Sequence, residues 1–543
     1  MKAPVPKQQC QMAVLTILLL FSACKAQAPV IYSIHPQIGY MGEPVIIKGA
    51  FFGDERLESY VTIAGIQPTG TSYIEWKDDE ISFRPPVFGE AGLVYVFVNG
   101  IKSNGILFAN QATVPRQIPE NTTGLGPRIS SVTPQTGSIG TLVNIQGTGF
   151  GASRGNSGVF FSWNAQPSIS APADIKIQEY IEAVEFDYDL WSEREIHIRI
   201  PDGAASGNME IRSARGSSPP VFYEMTGRPG TKSFQDKRTY TISYSVNVRT
   251  REAHTPNAVY LWIPQPAKSA SQRNIILLSS NVPPFIEEYR GASLYKLNDM
   301  PAFSEAQINQ SWKIEVYSVE TSIRPEAVRQ EAASPVYEMY TQEAPLLPSN
   351  DPRIKEITAS ITGRERNPYI KAKKIYDWIL QEEFLWQQQA DEDIFSMLET
   401  KQADPYLAVL LYCSMLRSAG IPCLPIAGVM VNNNQQSINH YWAEFWLDGF
   451  GWVPVDPAMG AGAVPALHNS AQDAADYYFG NTDCRRIAFS RGITTLSPMD
   501  SRGRVLARNR SYSLQNFWEE VIGGIESYSS LWGDITITGI YSQ

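Results

Sequence analysis

The largely apolar segment from His440 to Trp446, followed through Asp448-Gly449 by Gly451 to Pro457, reads as two strands whose successive side chains alternate between faces. His440, Trp442, Glu444 and Trp446 share one face of the first run, and Tyr441, Ala443, Phe445 and Leu447 share the other. With Asp448-Gly449 between the runs, the pattern predicts a β-hairpin that opens on a histidine and closes on Asp456. Register decides whether those two side chains meet. A two-residue Asp448-Gly449 turn pairs Leu447 with Phe450 and carries Asp456 to the face opposite His440. A connection longer by one residue, as a bulge at Gly451 would give, returns Asp456 to the histidine's face.

The periodicity changes just upstream. From Asp404 to Ser418 the chain is predominantly apolar, with aspartate at the N-cap, Pro405 in the first turn and Gly420 just past the end, the punctuation of an apolar helix. A second helix is predicted from about Pro368 to Leu385, with Ala372, Ile375, Tyr376 and Ile379 as its buried stripe. Strand alternation returns at Tyr240, Ile242, Tyr244, Val246 and Val248, and continues through Val259 to Pro264 and Trp312 to Val316, marking a β region ahead of the helices. Beyond Pro498 the pattern predicts a short helix around Trp518 to Ile525 and a strand over Ile535 to Ile540.

An internal repeat organises the first half of the chain. Ile31, Ser33, Pro36, Gln37, Gly39, Gly42, Val45, Ile47, Gly49, Phe52 and Gly53 recur 98 residues later as Ile129, Ser131, Pro134, Gln135, Gly137, Gly140, Val143, Ile145, Gly147, Phe150 and Gly151. Eleven identities at one offset mark duplicated modules. Their short alternating strands and Pro and Gly turns indicate β-sandwiches, and the Pro-x-x-Gly-x-x-Gly-x-x-Val-x-Ile-x-Gly-x-x-Phe-Gly pattern resembles immunoglobulin-like IPT/TIG domains, modules that act as spacers or partner-binding units. Linkers are expected at Thr113 to Pro127 and Thr226 to Lys237.

An imidazole oriented by a carboxylate is half of a Cys-His-Asp nucleophilic apparatus. The helix ending Leu416-Arg417-Ser418-Ala419-Gly420-Ile421-Pro422, the His440-Tyr441-Trp442-Ala443-Glu444 and Gly451-Trp452-Val453-Pro454-Val455-Asp456-Pro457 segments, and Phe479-Gly480-Asn481-Thr482-Asp483 resemble the bacterial transglutaminase-like family over roughly 350 to 495. The resemblance implies a papain-like α+β core in which a helix carries the cysteine and a following hairpin carries histidine and aspartate. It assigns His440 and Asp456 to the triad and places the nucleophile twelve residues before Arg417. That position is Pro405. A helix N-terminus lowers a thiol pKa and helps hold an oxyanion, whereas proline offers neither sulfur nor N–H. Cys413 lies eight residues further on, about 12 Å along the helix, and with Tyr406, Leu410 and Arg417 falls on a stripe of core residues. Cys423 is read as packing, Cys484 lies outside helix and hairpin, and Asp404 is read as a cap.

Lys2 and Lys7 precede an apolar run from Met12 to Phe21, the core of a secretory leader too short to span a bilayer. Its end, Leu20-Phe21-Ser22-Ala23-Cys24, resembles a lipobox and makes Cys24 the expected lipidation site. Cys10 would be lost with the leader, leaving one possible disulfide and no disulfide framework. A formal charge of −10 without a basic block argues against nucleic acid, and 43% hydrophobic content supports full cores over 543 residues. His35 and His197 are isolated, so neither they nor any other cluster predicts a metal or a cofactor.

These readings give a multidomain protein. It comprises a leader over 1–24, two IPT/TIG sandwiches over 29–112 and 127–225, a β domain over 238–325, a transglutaminase-like core over 350–495 and a tail over 496–543 packing on the core. The expected location is the bacterial cell envelope, periplasmic or surface, with a lipid anchor. Two functions compete. In one, the core has lost its nucleophile and serves as a binding or scaffold module, taking a protein, peptide or glycan partner through the sandwiches or the cleft. In the other, it remains an amide-bond hydrolase or acyltransferase acting on protein or peptidoglycan peptides, using His440, Asp456 and an atypical nucleophile. A purely structural surface protein is the third possibility.

Overall fold

The computed structural model describes residues 28–543 apart from 37, 40, 64, 87–91, 111–124, 164–178, 185–186, 331–334, 391–392, 465–471, 501–502 and 543. The leader with Cys10 and Cys24, and most of the first expected linker, lie outside the described residues. The chain divides into two compact units, one ending at Phe108 and the other beginning at Ala109.

The first unit is a two-sheet sandwich. Val30–His35, Val45–Ala50, Glu80–Phe83 and Tyr73–Trp76 form one sheet, and Ile38–Gly39, Ile106–Asn110, Gly92–Val98 and Tyr60–Ile63 the other. Alternation does the sorting: Val45 and Ile47 point inward with Ile34, Val61, Phe83, Val94 and Phe108 to form its core. The repeat reproduces the backbone in detail. Val30–His35 pairs with Val45–Ala50, and Arg128–Thr133 with Leu142–Thr148, in matching registers, with a bulge between Ile31 and Ser33 in one and Ile129 and Ser131 in the other. The recurring glycine has a steric cause. A Cβ on Gly49 would lie 2.3 Å from the Phe52 ring and 2.0 Å from the Val30 carbonyl, and one on Gly147 would lie 2.4 Å from Phe150 and 2.1 Å from the Arg128 carbonyl.

The second sandwich opens the larger unit and does not close its core alone. Trp163, Phe161, Ile139 and Ile198 are buried together with Phe234, Tyr317 and Val319 of the next β region, and with Tyr337 and Trp446 of the helical core. The β region is built on one long strand, Gly230–Pro264, which pairs with Glu305–Ile323, Ala292–Asn298, Glu519–Trp532 and Thr536–Ser542. Two expectations change here. The segment expected as a second linker enters this strand at Gly230, because residues 230–235 pair with Ile323 to Ser318. The helix expected around Trp518 to Ile525 is the strand Glu519–Trp532, since its partner across Val246 to Leu261 supplies the backbone hydrogen bonds.

The core is a four-stranded antiparallel sheet in the order Gly451–Val455, Ser437–Leu447, Cys423–Val431, Arg486–Arg491. The helix Pro405–Ser418 packs on the face carrying Tyr441, Ala443, Phe445 and Leu447. Every residue from Tyr406 to Arg417 is buried. This helix is therefore enclosed all round. The flanking helix Pro368–Gln381 buries Pro368 with Ala372, Ile375, Tyr376 and Ile379, and stops four residues short of the expected end. Among the described residues, no helix is long and apolar enough to cross a membrane.

Candidate functional site: a buried histidine and carboxylate pair

The hairpin takes the longer of the two connections. Leu447 pairs with Gly451 and Ala443 with Val455, leaving Asp448, Gly449 and Phe450 as the loop. Gly449 at φ 75° and Gly451 at φ 91° supply the left-handed backbone. The loop is held from several sides: Tyr337 Oη and Trp446 Nε1 donate to Asp448 at 2.9 Å each, and Ile139 of the second sandwich forms a backbone bridge with Gly449. Lys232 Nζ donates to Asp202 and to the Trp452 carbonyl, both at 2.6 Å.

That register brings His440 and Asp456 together. His440 Nε2 lies 2.7 Å from Asp456 Oδ2. Asp456 also caps the short helix Pro457–Gly460, its Oδ1 accepting from Met459 N–H at 2.9 Å. A third partner was not singled out from the sequence. Arg486 Nη1 donates to Asp456 Oδ2, while Arg486 Nη2 reaches Asp483 Oδ2 at 3.3 Å. Burial alone would raise the Asp456 carboxyl, but His440 and Arg486 outweigh it and hold it at about 2. Burial opposes the Arg486 charge, yet Asp483 and Asp456 raise its pKa above the usual guanidinium value. The only sequence signal for Arg486 is a charged pair, Arg485-Arg486, at the mouth of an apolar strand. His440 and Asp456 are each only 2% exposed.

The start of the central helix is a separate constellation. Pro405 is its first residue and Asp404 its N-cap, with Oδ1 accepting from Leu407 N–H at 2.8 Å. Asp404 Oδ2 accepts from Ala390 N–H at 2.9 Å and from the Arg510 guanidinium, which also stands 5.1 Å over the Tyr406 ring. The hairpin meets this turn through Tyr441, whose ring packs 5.1 Å from Tyr406 and whose hydroxyl donates to the Ser511 carbonyl at 3.0 Å. His440 is one residue earlier and so points to the other face of the strand, where its ring stacks near Trp442.

The three described cysteines lie elsewhere. Cys413 and Cys423 are buried with their sulfurs 3.3 Å apart. Cys484 packs among Tyr240, Val429 and Phe489, its carbonyl accepting from Tyr240 Oη at 3.0 Å, and burial pushes its thiol up to about 11. His35 is exposed, and His197 pairs with Glu195 at 2.7 Å. Among the described residues, no group of three or more His, Cys, Asp or Glu is placed to hold a metal.

Tandem β-sandwiches followed by an α+β core with a buried His-Asp pair define the class. Residues 355–457 match the transglutaminase-like superfamily, and 29–114 and 127–212 match the IPT/TIG domain. The protein therefore carries two IPT/TIG domains and a transglutaminase-like core. It is 29% identical over 168 residues to a protein of uncharacterised function from Haemophilus influenzae, covering 25% of this chain and 46% of the relative. It is 33% identical over 122 residues to a cyclomaltodextrin glucanotransferase from Bacillus licheniformis, covering 21% of this chain and 16% of that enzyme. The chain thus spans less than half the length of either relative. Among solved structures, it is similar to a candidate cysteine protease from Cytophaga hutchinsonii at 12% identity and a TM-score of 0.37, covering 57% of this chain and 93% of that one. It is also similar to the periplasmic domain of TgpA from Pseudomonas aeruginosa at 14% identity and a TM-score of 0.24, covering 45% and 95%.

Proposed function

We propose that this is an exported, envelope-anchored protein whose transglutaminase-like core does not turn over amide bonds and serves as a rigid module for binding a protein, peptide or glycan. The observation that carries this reading is the start of the central helix, where the family's nucleophile is expected. Pro405 stands there without sulfur or N–H, the Leu407 N–H is consumed by Asp404, and Arg510 neutralises that carboxylate. Such an end has no unpaired charge left with which to activate a thiolate. Supporting it, Cys413 and Cys423 lie against each other, Cys484 packs among Tyr240, Val429 and Phe489, and His440 and Asp456 are shut off from solvent. In this reading the His440, Asp456 and Arg486 network is retained for folding.

A second reading rests on the 2.7 Å His440–Asp456 bond, which is the geometry an active pair requires. It makes the protein an amide hydrolase or acyltransferase with an atypical nucleophile. The two separate in one assay, in which the purified protein and its His440→Ala variant are given a panel of amide substrates. The proposed reading expects background rates from both. Turnover by the native chain that disappears in the variant would overturn it. Pro405→Cys is expected to stay equally inert, because Tyr441 rather than His440 faces that turn.

A further inference from the structure

We infer that Cys413 and Cys423 are joined by a disulfide in the mature protein, a covalent staple between the central helix and the first strand that follows it. Cys413 sits in the third turn of Pro405–Ser418 and Cys423 opens Cys423–Val431. Their sulfurs are 3.3 Å apart and both residues are wholly buried. Bond formation requires the two sulfurs to approach by about 1.2 Å. Neighbouring contacts hold the two backbones in place: Arg417 Nε donates to the Cys423 carbonyl at 2.8 Å, and Arg417 Nη1 to the Gln342 carbonyl at 2.8 Å. A shared metal is the other common use of two adjacent cysteines. It needs a third and fourth ligand, and no such cluster exists among the described residues. Cys484 has no place in the bond, because it packs in a different core among Tyr240 and Phe489.

The chemistry is thiol–disulfide exchange with an oxidant of the disulfide class, such as a protein thiol oxidase or oxidised glutathione. One cysteine thiolate attacks the oxidant's disulfide, releasing a thiolate and leaving a mixed disulfide. The second cysteine thiolate then displaces the remaining oxidant sulfur. One S–S bond forms in the protein, the oxidant's S–S bond breaks, two electrons pass to the oxidant, and its two thiolates take up the protons. Burial pushes the Cys423 thiol well above its ordinary value, and Cys413 adds to that rise. Exchange is therefore confined to folding, before the pair is enclosed, and the finished bond is out of reach of soluble reductants. The inference rests on the proposed export only in needing an oxidising compartment.

The test uses the full chain, produced with its own N-terminal sequence in a bacterial host, with fractionation showing where it resides. Protein is unfolded without reductant, alkylated with N-ethylmaleimide and mapped by mass spectrometry. Cys413 and Cys423 are expected in one cross-linked species, with Cys484 alkylated. The same protein, reduced, unfolded and refolded in a glutathione redox buffer, is expected to re-form that bond whatever the outcome of fractionation. Reduction in denaturant followed by refolding in reductant should lower Tm by roughly 5–10 °C. That difference should vanish in the Cys413→Ala/Cys423→Ala double variant. Both residues fully alkylated in the glutathione-refolded protein would overturn the inference. The amide-turnover assay is untouched by that result, so the two proposals fail separately.

Discussion

Asp456 accepts hydrogen bonds from an imidazole, a guanidinium and a helix N–H inside an enclosed site, and that set of partners fixes its titration. An unfolded aspartate titrates at about 3.9, whereas this carboxyl is held at about 2. A depressed carboxyl contributes stability above its unfolded pKa and loses that contribution as pH falls through the folded value. The contribution, about 2 kcal/mol, is therefore expected to be complete above about pH 5 and lost progressively between about pH 5 and 1. Urea unfolding of the native protein and of Asp456→Asn across that window checks it. The variant should be destabilised at neutral pH by about 3–5 kcal/mol, because Arg486 loses one of its two carboxylate partners inside an enclosed site, and its acid limb should be flatter. An unchanged acid limb would show that another group dominates there. His440 and Asp456 were legible as candidates because the motif names the chemistry, whereas alternation alone left their meeting to the register. Arg486 was not, since nothing local distinguishes a buried arginine that bridges two carboxylates from one at the surface.

At the scale of elements, the sequence predicted the hairpin but left its register open, because alternation sets which residues share a face and not how many lie in the loop. The loop length is enforced by groups distant in sequence: Tyr337 on Asp448, Ile139 on Gly449, and Asp202 beside Gly451. Gly451 combines a φ of 91° with a space in which a Cβ would stand 2.1 Å from Asp202 Oδ1. Gly451→Ala is expected to cost about 1–3 kcal/mol. A double-mutant cycle with Asp202→Ala separates the causes, because removing the carboxylate relieves the clash but leaves the backbone strain. Complete recovery in the double variant would show that φ contributes nothing. The strand Glu519–Trp532 illustrates the opposite limit of sequence reasoning. Its local period resembled a helix, and only pairing with Val246 to Leu261, more than 250 residues earlier, makes it a strand. A contact of that separation leaves no trace in a local window. The central helix was recognised from its caps, but its enclosure on all sides follows from the sheet and flanking helices around it.

Across the whole molecule, the two copies of the repeat share strand registers, bulges and the glycine beneath a phenylalanine, yet they differ in how their cores are completed. The first copy buries Ile34, Ile47, Phe52, Phe83, Val94 and Phe108 using only its own residues. The second buries Trp163 against Phe234 at 5.1 Å and Tyr317 at 4.9 Å, with the Arg273 guanidinium 3.7 Å over the indole ring, and shares its core with Tyr337 and Trp446. All of those partners lie beyond residue 225. Cut out of the chain, the second copy would expose Trp163 and its neighbouring apolar surface, whereas the first would lose nothing from its interior. A fragment of 29–112 is therefore expected to unfold in one cooperative transition and to show no binding of an apolar dye. A fragment of 127–225 is expected to aggregate or bind the dye strongly, and to recover a cooperative transition only when the chain is extended through the core. Two equally cooperative fragments would show that the shared cluster adds nothing to the second fold. The difference also locates any partner recognition that depends on the transglutaminase-like core. It should survive deletion of 29–112 and be lost on deletion of 127–225, because the second sandwich braces the loop that sets the His440–Asp456 register.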